Sequence, residues 1–191
     1  MTIDLIRVAL NDEWLERAVD RARSLPVFEY SKRKAQANLV GCIGEVVFEA
    51  FLAHHGIAFE DHTASTERDY VIEGRLSLDV KTKDRTVRPA SHYECSVPLY
   101  NHDHQRPDFY FFISLLRDRA DRSSNPRRFK EAFLVGGIAL PVLDAVAVHR
   151  EEGEVDPSNG TRFWTDCLNV RIDQLASNAE MLEVFRGARH R

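Results

Sequence analysis

Three cysteines in 191 residues, Cys42, Cys95 and Cys167, are odd in number and widely scattered. That usage excludes a disulfide framework or a CxxC metal site and fits reduced thiols packed as small apolar groups. Apolar runs are short. None approaches the roughly 18 residues that a membrane span needs. The opening Met1 to Ile6 has neither the basic start nor the long apolar core of a secretory signal. The expectation is a cytoplasmic protein with no membrane partner. There is no low-complexity tract, no phosphate-cradling GxxxxGK[ST] loop, and no pattern for nucleophilic serine or cysteine catalysis. The formal net charge of −4 argues mildly against nonspecific coating of nucleic acid but leaves a local basic patch open.

What is present suits one globular unit. With 43% hydrophobic residues and no linker that divides it, the chain is expected to form a single domain over residues 1–191. Asn11 is placed to cap a helix through Trp14, Leu15, Ala18, Val19 and Ala22, ending before Pro26. A longer helical pattern from about Lys32 to His55 carries Leu39, Val40, Ile43, Val46, Val47, Ala50 and Phe51, with Gly56 as its stop. Gly41 and Gly44 each weaken that helix by up to about 1 kcal/mol relative to alanine, so something else favours them. Either the helix lies close to a strand or a nucleic-acid backbone there, or it kinks. Glu45 follows directly.

The densest signal is Asp69-Tyr-Val-Ile-Glu-Gly-Arg-Leu-Ser-Leu-Asp79-Val-Lys81. Read as a hairpin with Glu73 to Arg75 in its turn, it sets Asp69 opposite Asp79 and Tyr70 opposite Leu78. Strand side chains alternate. Tyr70, Ile72, Leu76, Leu78 and Val80 then share an apolar face, and Asp69, Asp79 and Lys81 share the other. Adjacent carboxylates raise each other's pKa, and a divalent cation relieves that repulsion.

Farther on, strands are expected at Tyr93 to Val97, at Asp108 to Leu116 as a buried central strand, and at Phe133 to Ala139. Pro141 opens a short helix to about His149, and Glu151 to Gly160 reads as an exposed loop. Phe163-Trp164 and Leu168 to Ile172 are expected to pair as an edge. Asp173 is placed to cap a last helix through Leu175, Met181, Leu182 and Phe185. This order predicts an α/β domain with a mixed sheet and helices on both faces.

A glutamate on a helix, an aspartate at a strand start and Asp-x-Lys on the next strand resemble the PD-(D/E)XK nuclease superfamily, which includes restriction endonucleases, Holliday junction resolvases and phage exonucleases. The resemblance runs from Glu45 to about Leu116, with Arg68 where the name has proline. It implies a restriction-endonuclease-like mixed sheet and a Mg2+-dependent enzyme, Mn2+ substituting, that hydrolyses DNA phosphodiesters, most plainly as an endonuclease. Glu45, Asp69, Asp79 and Lys81 would be the catalytic set. Asp69 and Asp79 would bind metal directly, with the Val80 carbonyl as third ligand and Glu45 binding directly or through water. Hard oxygen ligands of this kind suit Mg2+, and Lys81 would face the attacking water or the scissile phosphate. DNA is the implied partner, and site-specific cutting by so small a domain would call for a homodimer or a loop reader. The alternatives are a noncatalytic nucleic-acid-binding module or an adaptor that retains the fold.

Weaker candidates surround this set. Lys83 continues the Lys81 face, and Asn101 and Gln105 precede the central strand. His102-Asp103-His104 lacks a third ligand for zinc, and His54-His55 suits a helix C-terminus. Three basic clusters offer phosphate contacts: Lys81, Lys83, Arg85 and Arg88; Arg117, Arg119, Arg122, Arg127, Arg128 and Lys130; and Arg186, Arg189, His190 and Arg191. Each is also readable as solvated charge.

Overall fold

The computed structural model describes residues 5–25, 35–64, 68–102, 105–156, 160 and 162–189. The chain begins with a short strand β1 (Ile6–Ala9) and then helix α1 (Asp12–Ser24). Asn11 Oδ1 accepts the Trp14 amide proton at 2.8 Å, acidic residues fill the first turn and arginines the last, as the helix dipole favours. Helix α2 (Ala35–His54) follows and stops where Gly56 takes a φ of +65°. The expected start at Lys32 and the breaker Pro26 lie outside the described residues.

Strand β2 (Phe59–Asp61) leads into the hairpin of β3 (Tyr70–Ile72) and β4 (Leu76–Arg85). Its register is Tyr70 opposite Leu78 and Ile72 opposite Leu76. The turn puts Glu73 at φ +49° and Gly74 at φ +66°; two successive left-handed residues give the twist that a tight hairpin prefers. Beyond it come β5 (Glu94–Pro98), the single turn α3 (Leu99–His102), β6 (Phe109–Arg117), β7 (Phe129–Ala139), α4 (Leu140–Val146), β8 (Val148–Arg150), β9 (Cys167–Arg171) and α5 (Asn178–Arg189).

Six strands form a mixed sheet in the order β1-β7-β6-β4-β3-β2, in which only β4 and β6 run parallel. Three more form a separate antiparallel sheet, β5-β9-β8. The mixed α/β class is therefore as expected. Its layering differs. Helices α1, α2 and α5 all cover one face, where Leu15, Val47, Phe48 and Phe185 pack on Leu78, Val80, Phe111 and Ile113. The opposite face, with Tyr110, Phe112, Val135 and Ile138, is covered by the small sheet and by α4 through Cys95, Val97, Val170 and Leu143. Cys167–Arg171, with Cys167, Asn169 and Val170 buried, forms the centre of that small sheet, so a sheet shares with α4 a face where helices alone were expected.

Other boundaries move for local reasons. Helix α4 ends at Val146, and Val148–Arg150 extends to pair with β9. Phe163 does not pair with β9; the bridge in that region joins Val155 to Arg162. Within the expected exposed loop, Asp156 is buried. Helix α5 begins at Asn178 rather than after Asp173. Ser177 and Glu180 form the reciprocal cap there, the Ser177 amide donating to Glu180 Oε2 at 2.7 Å and the Glu180 amide to Ser177 Oγ at 3.2 Å. Among the described residues no helix is long and apolar enough to cross a membrane.

Candidate functional site

The site is positioned by the crossing of α2 over β4. A methyl group placed on Gly44 would meet Thr82 Oγ1 at 1.9 Å, so only glycine lets the helix backbone settle on the strand at that point. Of the readings that Gly44 leaves open, close approach to a strand is the one realised. Gly41 is different, since a methyl there meets only the Glu45 carboxylate at 3.8 Å. Glu45 is carried to the sheet one residue after the crossing.

Alternation along β4 does the rest. Leu78 and Val80 enter the core under α2, which turns Asp79 and Lys81 toward the face shared with the small sheet. There the Asp79 side chain is 1% exposed and its Oδ2 lies 2.6 Å from Lys81 Nζ. Lys81 also donates to Gln105 Oε1 at 3.2 Å and lies 5.9 Å from the Tyr110 ring centroid. Burial alone would lower the Lys81 pKa, but the Asp79 and Asp69 charges outweigh it and hold the ammonium protonated.

Asp69 stands just before β3 begins. Its amide donates to the Leu78 carbonyl at 3.1 Å, and its Oδ2 accepts the Val80 amide proton at 2.7 Å. That second bond replaces a ladder bond that β3 does not supply there. In a strand a residue's N–H and C=O point to the same side, so the Val80 carbonyl also faces the gap before the start of β3. Burial, then the adjacent Asp79 charge, push the Asp69 carboxyl well above the usual range.

Glu45 is near enough for its charge to raise the Asp69 pKa further, yet it belongs to another network. Arg21 of α1 reaches Glu45 Oε2 at 3.1 Å, Glu49 Oε1 at 2.7 Å and Asp61 Oδ2 at 3.1 Å. Arg17 pairs with the other Glu49 oxygen, and the buried Tyr70 hydroxyl donates to Glu49 Oε1 at 2.8 Å. Burial, only partly offset by Arg21, raises the Glu45 carboxyl to about 7. Asp79 and Lys81 thus form an ion pair, and Asp69, hydrogen-bonded to the Val80 amide between them, lies close enough to feel both charges. Among the described residues no hydrogen bond or ion pair joins Glu45 to them.

A hard cation can be tested against these donors. Among the described residues no group of three or more His, Cys, Asp or Glu side chains is arranged to hold a metal ion. The set that fits is smaller and includes backbone: the Asp69 carboxylate, the Val80 carbonyl, and Asp79 Oδ1, which is buried and accepts no hydrogen bond. A buried anionic oxygen without a donor is costly. Oxygen ligands with an orphan among them suit Mg2+ or Mn2+.

The remaining candidates separate clearly. Gln105 joins the site through Lys81. Lys83 Nζ donates to the Glu94 carbonyl at 3.2 Å and Ser96 Oγ at 3.5 Å, and Arg85 is buried against Ser114 Oγ and the same carbonyl, so both brace β4 against β5. Of the basic loop, Arg117 and Arg128 hold Asp84 at 2.8 and 3.3 Å, and Arg127 holds Asp12 at 2.8 Å. Arg117 and Arg128 are internal counterions and Arg127 is in a surface pair; Arg119, Arg122 and Lys130 are exposed. Arg186 pairs with Glu183 at 3.0 Å and Arg189 approaches Glu73 at 3.7 Å. His190, Arg191, Asp103, His104 and the side chains of Asn101 and His102 lie outside the described residues. His55 packs edge-on to Phe51, and burial, then His54, lowers its pKa. All three cysteines are free and buried; burial pushes Cys42 up to about 12.

Sequence reasoning missed Arg21 and Glu49, and it placed the Tyr70 ring but not the bond from its hydroxyl to Glu49. The available signal was spacing: Arg17 and Arg21 on α1, like Glu45 and Glu49 on α2, stand four apart and so share a helix face. No protein-family model matches the chain, and no curated protein matches it.

Proposed function

We propose that this chain is a metal-dependent nuclease that hydrolyses DNA phosphodiester bonds as an endonuclease, on a restriction-endonuclease-like PD-(D/E)XK plan. The observation that carries the proposal is Asp79 Oδ1, buried and lacking a donor, with Lys81 beside it and with Asp69, which accepts the Val80 amide proton just before β3 begins, close enough to feel its charge. Asp69, Asp79 and Val80 would hold Mg2+. When bound, such an ion makes water nucleophilic near neutral pH and offsets charge on the phosphate and the leaving oxygen.

The chain's own residues have distinct parts. Lys81 is held as a cation by Asp79 and Asp69, so it acts by stabilising the negative charge that grows on the phosphate, not by accepting a proton. Gln105 fixes the direction of the ammonium from the opposite side. Tyr110 and the small sheet keep that side partly dry, which strengthens each charge interaction.

A second reading has its own observation. The Lys81–Asp79 and Arg21–Glu45 pairs neutralise charge internally, as in a noncatalytic nucleic-acid-binding module that keeps the fold. Incubation with supercoiled plasmid in Mg2+, Mn2+ or EDTA separates the two. The nuclease nicks or linearises DNA only with metal, and an Asp79→Ala, Lys81→Ala double variant loses at least about 100-fold. Tight metal-independent DNA binding without cleavage would instead establish the binding module.

A further inference from the structure

We propose that Arg21 stands in for a second divalent ion, so that this centre binds a single metal; the inference rests on the nuclease reading above. Two-metal phosphodiesterases place a second cation against a further carboxylate, and Glu45 is the carboxylate available here. Arg21 already holds it at 3.1 Å. The same guanidinium holds Glu49 at 2.7 Å and Asp61 at 3.1 Å, and its side chain is 14% exposed. Arginine keeps its charge and offers donors in a fixed fork, so one side chain satisfies three carboxylates in the directions they present.

Displacing Arg21 from Glu45 would be costly. Glu49 is 3% exposed, and without Arg21 it would keep only Arg17 and the Tyr70 hydroxyl. A buried carboxylate deprived of a partner is strongly destabilising. The charges agree with a single ion. The connected carboxylates are Glu45, Glu49, Asp61, Asp69 and Asp79, and the cations among them are Arg17, Arg21 and Lys81. Fully ionised, that set leaves two negative charges, the charge of one divalent ion.

The second ion's place is therefore filled by a residue of α1, and Arg21 is a positioning residue for Glu45. Removing its charge while keeping hydrogen-bonding capacity should open Glu45 to metal. The test is Mn2+ stoichiometry, read by titration calorimetry and by electron paramagnetic resonance of free Mn2+, on the full chain without DNA. Wild type should bind one Mn2+ per chain and Asp79→Ala none. Arg21→Gln should bind two, Arg21→Lys one, and the Arg21→Gln, Glu45→Gln double variant one. Two ions on wild type, or one on a folded Arg21→Gln, overturns the inference. If Arg21→Gln does not fold, the wild-type stoichiometry decides alone. Wild type binding no Mn2+ overturns the metal-dependent reading itself, which a wild type binding two would leave standing.

Discussion

Replacing Glu45 with glutamine should stabilise the protein, and the gain should grow with pH. Glu45 is 12% exposed, and its carboxyl rises from an ordinary 4.5 to about 7 because burial outweighs Arg21. A carboxyl with a higher pKa in the folded state binds its proton more tightly there. Below pH 4.5 both states are protonated and the site costs nothing. Between pH 4.5 and 7 the native state holds the extra proton, so unfolding free energy falls as pH rises; above 7 the loss is complete. The displacement corresponds to about 3 kcal/mol.

Glutamine keeps the shape and an oxygen for Arg21 but does not titrate. Urea denaturation followed by tryptophan fluorescence, in EDTA at pH 4.5, 6, 7 and 8, gives the difference between variant and wild type. That difference should rise by about 3 kcal/mol across the range and level off near pH 8. Most other titrating groups cancel in it. Asp69 does not, because the Glu45 charge raises its pKa, and the removal of that charge acts in the same direction. A difference independent of pH, or one that falls as pH rises, would refute the reasoning, the latter by showing that Arg21 outweighs burial.

Three further outcomes follow from the packing and the ion pairs. Gly44→Ala drives a methyl into Thr82 and should cost about 1–3 kcal/mol as overpacking, part of it recovered in a Gly44→Ala, Thr82→Ala double variant, which removes the hydroxyl and methyl but keeps the Thr82 Cβ, measured by chemical denaturation. Tyr70→Phe removes the 2.8 Å hydroxyl donor to Glu49 and should lower stability by about 2 kcal/mol; an unchanged denaturation midpoint would show that Arg17 and Arg21 suffice. Asp84→Ala strips the shared partner from Arg117 and Arg128 and should cost about 3 kcal/mol, with faster amide exchange over residues 117–128.

The hairpin was legible because alternation and turn chemistry agree: only one register puts Tyr70, Ile72, Leu78 and Val80 on one side. Helix α1 was legible because Asn11 is a strong cap before an apolar stripe. The start of α5 was present in the sequence as Ser177-x-x-Glu180, but Asp173 offered a rival cap and is instead taken into a short 3-10 turn over Ile172–Gln174. Strands β1, β2 and β8 have only four, three and three residues, too few for a period to assert itself, and they form because long neighbours template them. The Arg21 network was hidden for a different reason. Each helix shows its own four-residue spacing, but which face of α1 meets which face of α2 is decided by packing over the sheet.

The same register that folds the hairpin also fixes the candidate site. Because strand side chains repeat every two residues, Leu78 and Val80 cannot enter the core under α2 unless Asp79 and Lys81 face the small sheet. Slipping by one residue would bury the Asp79–Lys81 pair among Phe48, Phe111 and Ile113 and take Leu78 and Val80, now 0% and 6% accessible, out of that core. Apolar burial at 78 and 80, stabilising by about 1.5–3 kcal/mol for each side chain, therefore acts as the force that aims the charges. Tyr70 joins the two requirements in one residue. Its ring packs 5.5 Å from that of Phe48, its backbone holds the register opposite Leu78, and its hydroxyl braces the Glu49 end of the Arg21 network. The position of Asp69, one residue before it, is set by all three.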